Sequence, residues 1–497
     1  MNKVEEFLAV ASQFKLGHLV TESAHADTTR LSQLAQSSPS EALNMLHQVD
    51  VRALSILKSK VLDIFRLSVE IQNVLARGDK VFLVGCGATG RLSLVLETLS
   101  LQMNHYKGQI ISLMAGGDFA LIRSVESFED HASYGARQLM GLGFKSGDLL
   151  VAITEGGETP FVIGACNQAA QMSRQSPWFL YCNPDSALLG LQRCREVLEN
   201  DHIQKLNLTC GPMALTGSTR MQASSVQMFA AGLALLYQWK SASELSAKLD
   251  SYLDFHQHTD VTLIESFVLA EALDHEKNVL TTYLSHRDLA ISVLTDTTER
   301  APTFSQPGFE NNFFPSKISP IYLSVQGTCS AAQAWQALLS RPARCLDWSD
   351  LPTKVNEDIF MGFDISEKAI QRRRGSVVEI ALNPAGIGFK REGLGVTIPV
   401  FSREPLFVHM TLKMTLNMLS TTMMGRRGFY LDNIMTWVRP SNNKLIDRAT
   451  RYVQTLAARR GVSVGYEEGV KLVIEMMERE PSSAVVMRVL EDQGIKI

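Results

Sequence analysis

Apolar residues recur along this chain at two different periods. In Ala42 to His47 and Val51 to Ala76 they fall at helical spacing with no strand-like alternation, which predicts a helical segment over residues 1 to about 75. Thr21 to Asp27 interrupts it as a polar stretch without periodicity. From Lys80 onward short, fully apolar runs take over. Candidate strands are Lys80–Val84, Gln109–Met114, Asp148–Thr154 and Trp178–Cys182, with Lys205–Cys210 as a fifth candidate. Helices fit between them at Arg91–Met103, Ala132–Gly141 and Pro160–Gln171. Unbroken apolar runs suit strands buried on both faces of a parallel sheet. The fold class is therefore α/β, with a doubly wound sheet that binds ligands outside the carboxyl ends of its strands.

A second round begins near Glu244. Helices are expected over 244–276, 288–295 and 406–424, and strands over 278–284, 321–325, 343–348, 377–382 and 396–400. This order repeats the first half at an offset near 200 residues, with faint identity between the halves. From Arg439 the tail reads as helical and charged, with a break at Gly461–Gly465, and is expected to cap the second lobe. The expected organisation is a helical N-terminal segment (1–60), two α/β domains (61–243 and 244–440) and a small helical C-terminal cap (441–497).

Polar and glycine-rich turns follow three of the candidate strands. Gly85, Gly87 and Gly90 sit between a strand and a helix N-terminus. There close backbone approach, free N–H groups and the helix dipole make an anion cradle. Ala115–Asp118 and Thr154–Thr159 converge on the same crevice. Gly211–Arg220 adds a loop rich in hydroxyls that ends in a cation, suited to a sugar or phosphate. In the second half Ser285–Asp288 stands where the glycine turn should be, so one phosphate site per chain is expected. Cys86 reads as a small buried residue at a turn, and His286 as a structural remnant.

Bulk properties narrow the classes. The 497 residues carry a net charge of -3, which argues against a nucleic-acid footprint. The Arg372–Arg374 run reads as a solvated loop. Seven cysteines without a Cys-x-x-Cys pair suggest reduced thiols and a cytoplasmic location. Neither a signal-peptide pattern at Met1–Phe14 nor an apolar run of membrane-spanning length is seen. The 11 histidines show no metal-ligand spacing, so neither a metal nor another cofactor is expected.

Several motifs then point to one family. Gly85–Leu92 (GCGATGRL), Ala115–Asp118, Glu126–Asp130 and Leu215–Arg220 (LTGSTR) resemble the sugar isomerase (SIS) domain of N-acetylmuramic acid 6-phosphate etherases. Thr21–Ser23 resembles that family's N-terminal segment. Leu416–Thr421 and Ser441–Leu445 resemble its C-terminal part. The etherase is a single-SIS chain that pairs with itself. Two SIS domains in one chain look like the glucokinase regulatory protein, which binds fructose phosphates. The resemblance implies two flavodoxin-like SIS domains packed as an internal pseudo-dimer, in a monomer or a homodimer.

The resemblance also distributes the parts of a site. The family's first glutamate, in Glu-Cys-Pro-Pro-Thr-Phe, is matched by Leu99 in the first half and by Glu299, ahead of Pro302-Thr303-Phe304, in the second. Its second glutamate matches Glu129. One composite site is implied, with Glu129 as base and Glu299 as acid or the reverse. The ligand would be held by Gly87, Ala88, Thr89, Gly90, Thr154, Gly156, Thr159, Ser218, Arg220 and Lys444. Two carboxyl groups suit elimination of an ether beside a sugar carbonyl. Departures stand beside this. Glu155 and Glu158 occupy the turn where the etherase has Ala-Ser-Gly-Arg, and would repel a phosphate unless they turn away or pair with Arg220 or Lys444. Met213 replaces an acid and Gln222 a lysine. The readings carried forward are an etherase-like lyase, a non-catalytic sugar-phosphate sensor with a protein partner, and a phosphosugar isomerase or deaminase. All take a sugar-phosphate ligand and neither nucleic acid nor membrane.

Overall fold

The computed structural model describes residues 2–104, 106, 108–125, 128–351, 354–480 and 483–496. Glu126 and Ser127 of the Glu126–Asp130 motif lie outside the described residues. Strand β1 (Val81–Gly85) is buried at every position, as its apolar run demands. It pairs in parallel with β2 (Ile110–Met114) and β3 (Leu149–Ile153), Val81 lying opposite both Ile110 and Leu149. β4 (Trp178–Tyr181) and β5 (Gln204–Asn207) complete a parallel sheet in the order β2-β1-β3-β4-β5. The strand order reverses between β1 and β3, so the crevice opens beyond Gly85 and Ile153.

Thr281 opens β6 (Thr281–Ser285) as Val81 opens β1. β6 pairs in parallel with β7 (Ile321–Val325) and β8 (Ser376–Asn383). From there the sheet departs from the all-parallel expectation. β9 (Gly386–Arg391) and β10 (Leu394–Ile398) continue it as an antiparallel meander, in the order β10-β9-β8-β6-β7. The links after Asn383 and Arg391 are too short to house a crossover helix, which a parallel return requires. Asn383 Oδ1 shapes the first of them by accepting from the N–H groups of Ala385 and Gly386 at 2.9 and 3.1 Å.

Two further expectations are corrected. Residues 343–348 form no strand of either sheet, because the Arg344 main chain is engaged elsewhere: its N–H reaches Asp118 Oδ2 at 2.7 Å and its carbonyl accepts from Asp118 N–H at 3.0 Å. The Arg372–Arg374 run is not a free loop, since Arg373 is buried against Glu310 and the Ser319 carbonyl.

The halves meet through helices. Gln222–Leu236 and Pro405–Arg426 are buried almost throughout and pack on each other, as helices apolar on all sides must. Ala88–Gln102 packs on Arg287–Phe304, which runs past its expected end at Thr295 and carries Pro302 inside. The C-terminal helices Asn443–Ala458, Tyr466–Arg479 and Val485–Asp492 are tied to the first half as well as to the second, which Arg459 meets at Asp432 at 2.7 Å. Arg448 and Arg451 clamp Glu22, Lys444 reaches Glu158, and Tyr452 Oη donates to the Thr216 carbonyl at 2.6 Å. Neighbourhood in sequence assigned this cap to the second lobe alone; ion pairs with the N-terminal half seat it on both.

Candidate active site

The floor of the crevice is the turn Gly85–Gly90. A Cβ on Gly85 would lie 2.3 Å from the Thr89 carbonyl carbon, so only glycine lets the strand pass this close to the helix. Gly87, at φ +54°, is the N-cap of the Ala88–Gln102 helix. Thr89 Oγ1 accepts from Cys86 N–H and also lies 2.9 Å from the Cys86 carbonyl, closing the turn from within. Gly87, Ala88 and Gly90 thus stand at a helix N-terminus, where backbone N–H groups and the dipole favour an anion.

Two carboxylates from opposite halves reach this turn. Glu129 lies on the short 3₁₀ turn Phe128–Asp130, which Phe128 anchors among Tyr134, Phe161 and Trp348. It accepts from Cys86 Sγ at 2.8 Å and from Asn442 Nδ2. Burial and the neighbouring Glu129 push the Cys86 thiol well up, so it stays a donor and is no nucleophile. Glu299, on the Arg287–Phe304 helix, accepts from Arg91 Nη1 at 2.5 Å. Arg91 also reaches Thr298 Oγ1 and the Leu121 carbonyl. The Arg91–Glu299 pair is buried and crosses between the halves.

The turn after β3 supplies the rest. The Thr154 and Thr159 hydroxyls lie 3.0 Å apart, and the Gly156 carbonyl accepts from Asn183 Nδ2 at 2.8 Å. Asn183 also holds Thr21, which ties the N-terminal segment to the crevice. Glu158 lies 2.8 Å from Lys444 and 3.0 Å from Arg193. Burial pushes the Glu158 carboxyl upward, but Lys444 and Arg193 outweigh it and hold it below the usual range. Asp130 is pushed up to about 7 by burial and by Glu129 and Glu158.

Arg220 departs from its expected place. It is buried and binds Asp296, Asn417 and Thr421 at 3.2 Å, fastening the loop to the two interior helices of the second half instead of facing a ligand. Lys444 is paired as well. Ser218 Oγ and Thr216 Oγ1 are buried without a hydrogen-bond partner among the described residues. Arg91 and Asn442 are the site residues that sequence reasoning passed over, and it read Glu155 only as a charge that would repel a phosphate. Arg91 closes the glycine turn, and Asn442 sits inside the Ser441–Leu445 motif, so both had a signal. Among the described residues no cluster of three or more His, Cys, Asp or Glu could hold a metal.

A parallel sheet with a glycine turn at its switch point, completed by a carboxylate from a second half, defines an SIS-type protein. A family model for the glucokinase regulatory protein N-terminal SIS domain matches residues 66–170. Over 216 residues the chain is 33% identical to an N-acetylmuramic acid 6-phosphate etherase of Salmonella agona, covering 43% of this chain and 67% of that one. It is 30% identical over 213 residues to N-acetylmuramic acid 6-phosphate etherase 2 of Vibrio cholerae, covering 43% of this chain. It spans 65% of the length of that protein, just under two thirds. A tagatose-6-phosphate ketose/aldose isomerase from Escherichia coli overlays 78% of this chain and 92% of its own at 11% identity and a TM-score of 0.45. This chain belongs to the SIS-domain family of the N-acetylmuramic acid 6-phosphate etherases.

Proposed function

We propose that the protein is a carbon–oxygen lyase that cleaves the lactyl ether of N-acetylmuramic acid 6-phosphate at one composite site. The observation that carries this reading is the meeting of Glu129 and Glu299 at the glycine turn, one through Cys86 and the other through Arg91. The anion cradle at Gly87–Gly90 takes the phosphate. Glu129, an acceptor for two neutral donors, abstracts the proton α to the open-chain aldehyde, and the ether oxygen at the next carbon departs as lactate. Water then adds at that carbon. Seven cysteines without a disulfide suit a cytoplasmic location.

The test is lactate release by the purified protein from N-acetylmuramic acid 6-phosphate. Release that falls about 10²- to 10⁴-fold in both Glu129→Gln and Glu299→Gln supports the composite site. A second reading, a non-catalytic sugar-phosphate sensor, draws support from the pairing of Arg220 and Lys444, which leaves phosphate recognition to backbone N–H groups. Thermal stabilisation by sugar phosphates without lactate release would favour it.

A further inference from the structure

Among the carboxyl groups at the crevice, Glu129, Glu299 and Glu155 are set apart by their hydrogen bonds. Glu129 and Glu299 each accept from fixed donors, and the guanidinium facing Glu299 has only protons to offer. Glu155 differs. Its main chain is set by the sheet, since Cys182 N–H donates to its carbonyl at 3.0 Å. The residue is only 8% exposed, and Oε1 has no hydrogen-bond partner among the described residues. A buried carboxyl oxygen without a donor is costly to ionise, which is the condition under which such a group keeps its proton.

The charged and titratable groups around it come from six elements. Lys444 faces it from the Asn443–Ala458 helix, Glu299 from Arg287–Phe304, and Glu129 from the 3₁₀ turn. Lys413 lies on Pro405–Arg426, Cys86 on the glycine turn, and Cys182 at the end of β4. Burial, helped by Glu299 and Glu129, outweighs Lys444 and the backbone and pushes Glu155 up to about 7.

We propose that Glu155 is a third catalytic carboxyl, the acid that protonates the departing ether oxygen. This rests on the lyase reading above. Glu129 takes the proton from C2 of the open-chain sugar, and the freed pair forms the C2–C3 double bond. The C3–O bond breaks, and its pair on the lactate oxygen takes the Glu155 proton. Glu155, now a carboxylate, removes a proton from the water whose oxygen bonds to C3. The double-bond pair returns to C2, which recovers the proton held by Glu129. Both carboxyl groups end as they began, and the net change is ether plus water giving a sugar hydroxyl and lactate. Glu299 then positions Arg91 and orients the reacting carbon.

The experiment measures kcat/KM against pH for the parent, Glu155→Gln, Glu155→Asp and Asp130→Asn. It uses the lactyl ether and an analogue with fluoride at C3, whose departure needs no full proton transfer. For the parent, ether cleavage should decline as pH rises through about 7, where Glu155 loses its proton. Glu155→Gln should lose about 10²- to 10⁴-fold on the ether, lack that decline, and stay within a few-fold of the parent on the fluoride. Glu155→Asp should keep a decline, displaced in pH. Equal losses on both substrates, an unchanged pH profile in Glu155→Gln, or loss of the decline in Asp130→Asn would overturn the assignment while leaving the lyase reading intact. A parent that cleaves neither compound overturns both.

Discussion

Glu22 lies 2.6 Å from Arg448 Nη2 and 2.9 Å from Arg451 Nη2, although 22 and 448 stand near opposite ends of the chain. The carboxyl is buried, and burial alone would push it up. The two guanidinium groups outweigh that and hold it at about 2. The Thr21–Ser23 motif is thus an anchor that fixes the helix carrying Lys444.

Glu22→Gln leaves buried Arg448 without its carboxylate, while Arg451 keeps Asp447 at 2.7 Å, and should destabilise the fold by about 3–5 kcal/mol. Because the folded value lies below the ordinary one, the contribution is full above pH 4.5 and is lost as pH falls from there toward 2. That displacement corresponds to about 3 kcal/mol. Urea unfolding between pH 7 and 3 should show the parent losing stability over the acid range and the variant following a flatter course. Parallel pH courses would show that the clamp contributes nothing.

The glycine turn separates two kinds of requirement. At Gly85 a side chain has no room, because its Cβ would fall against the Thr89 backbone. At Gly87 space is open and only φ is unfavourable. Gly87→Ala should cost about 1–3 kcal/mol and leave ligand binding measurable. Gly85→Ala must part the strand from the helix, so it should cost more and abolish sugar-phosphate binding. Thermal unfolding with and without the ligand checks the order, and equal effects would contradict it.

Arg341 joins the halves at a second place. It reaches Asp118 Oδ2 at 2.6 Å and Glu97 Oε2 at 3.0 Å, all three buried. Asp118, on a turn expected to face the ligand, is instead occupied by the second half. Arg341→Met takes the guanidinium from buried Asp118, while Glu97 keeps Arg344 at 2.7 Å, and should destabilise by about 3–5 kcal/mol. Glu299→Gln likewise takes the carboxylate from buried Arg91 and should cost a similar amount. Denaturant midpoints of the two variants decide this.

Much of the architecture could be read from period and punctuation. The apolar runs at Val81, Ile110, Leu149 and Trp178 are strands because only a doubly covered sheet tolerates them. Their recurrence from Thr281 revealed the second half. What failed were segments whose backbone partners come from afar. Residues 343–348 looked like a strand, yet Asp118 takes the Arg344 main chain. Gly386–Arg391 was passed over because two glycines mask its alternation. In the crevice, the turns announced themselves by their glycines and hydroxyls, and the resemblance brought Glu129 and Glu299 forward. Arg220 looked like a ligand cation because its partners, Asp296 and Asn417, are distant in sequence. Glu155 stood out only as an unwelcome charge, since its isolation depends on what surrounds it in three dimensions.

The position of the C-terminal helices has a consequence for biosynthesis. A nascent chain can pair β1 with β2 and β3 early, and it gains Glu299 later. Asn442 and Lys444, which hold Glu129 and Glu158, leave the ribosome after every strand of both sheets. A chain stopped before Asn442 can therefore build both sheets and still lack the wall of its own crevice. Competence is acquired only after both sheets are complete, when the helix carrying Lys444 closes the crevice.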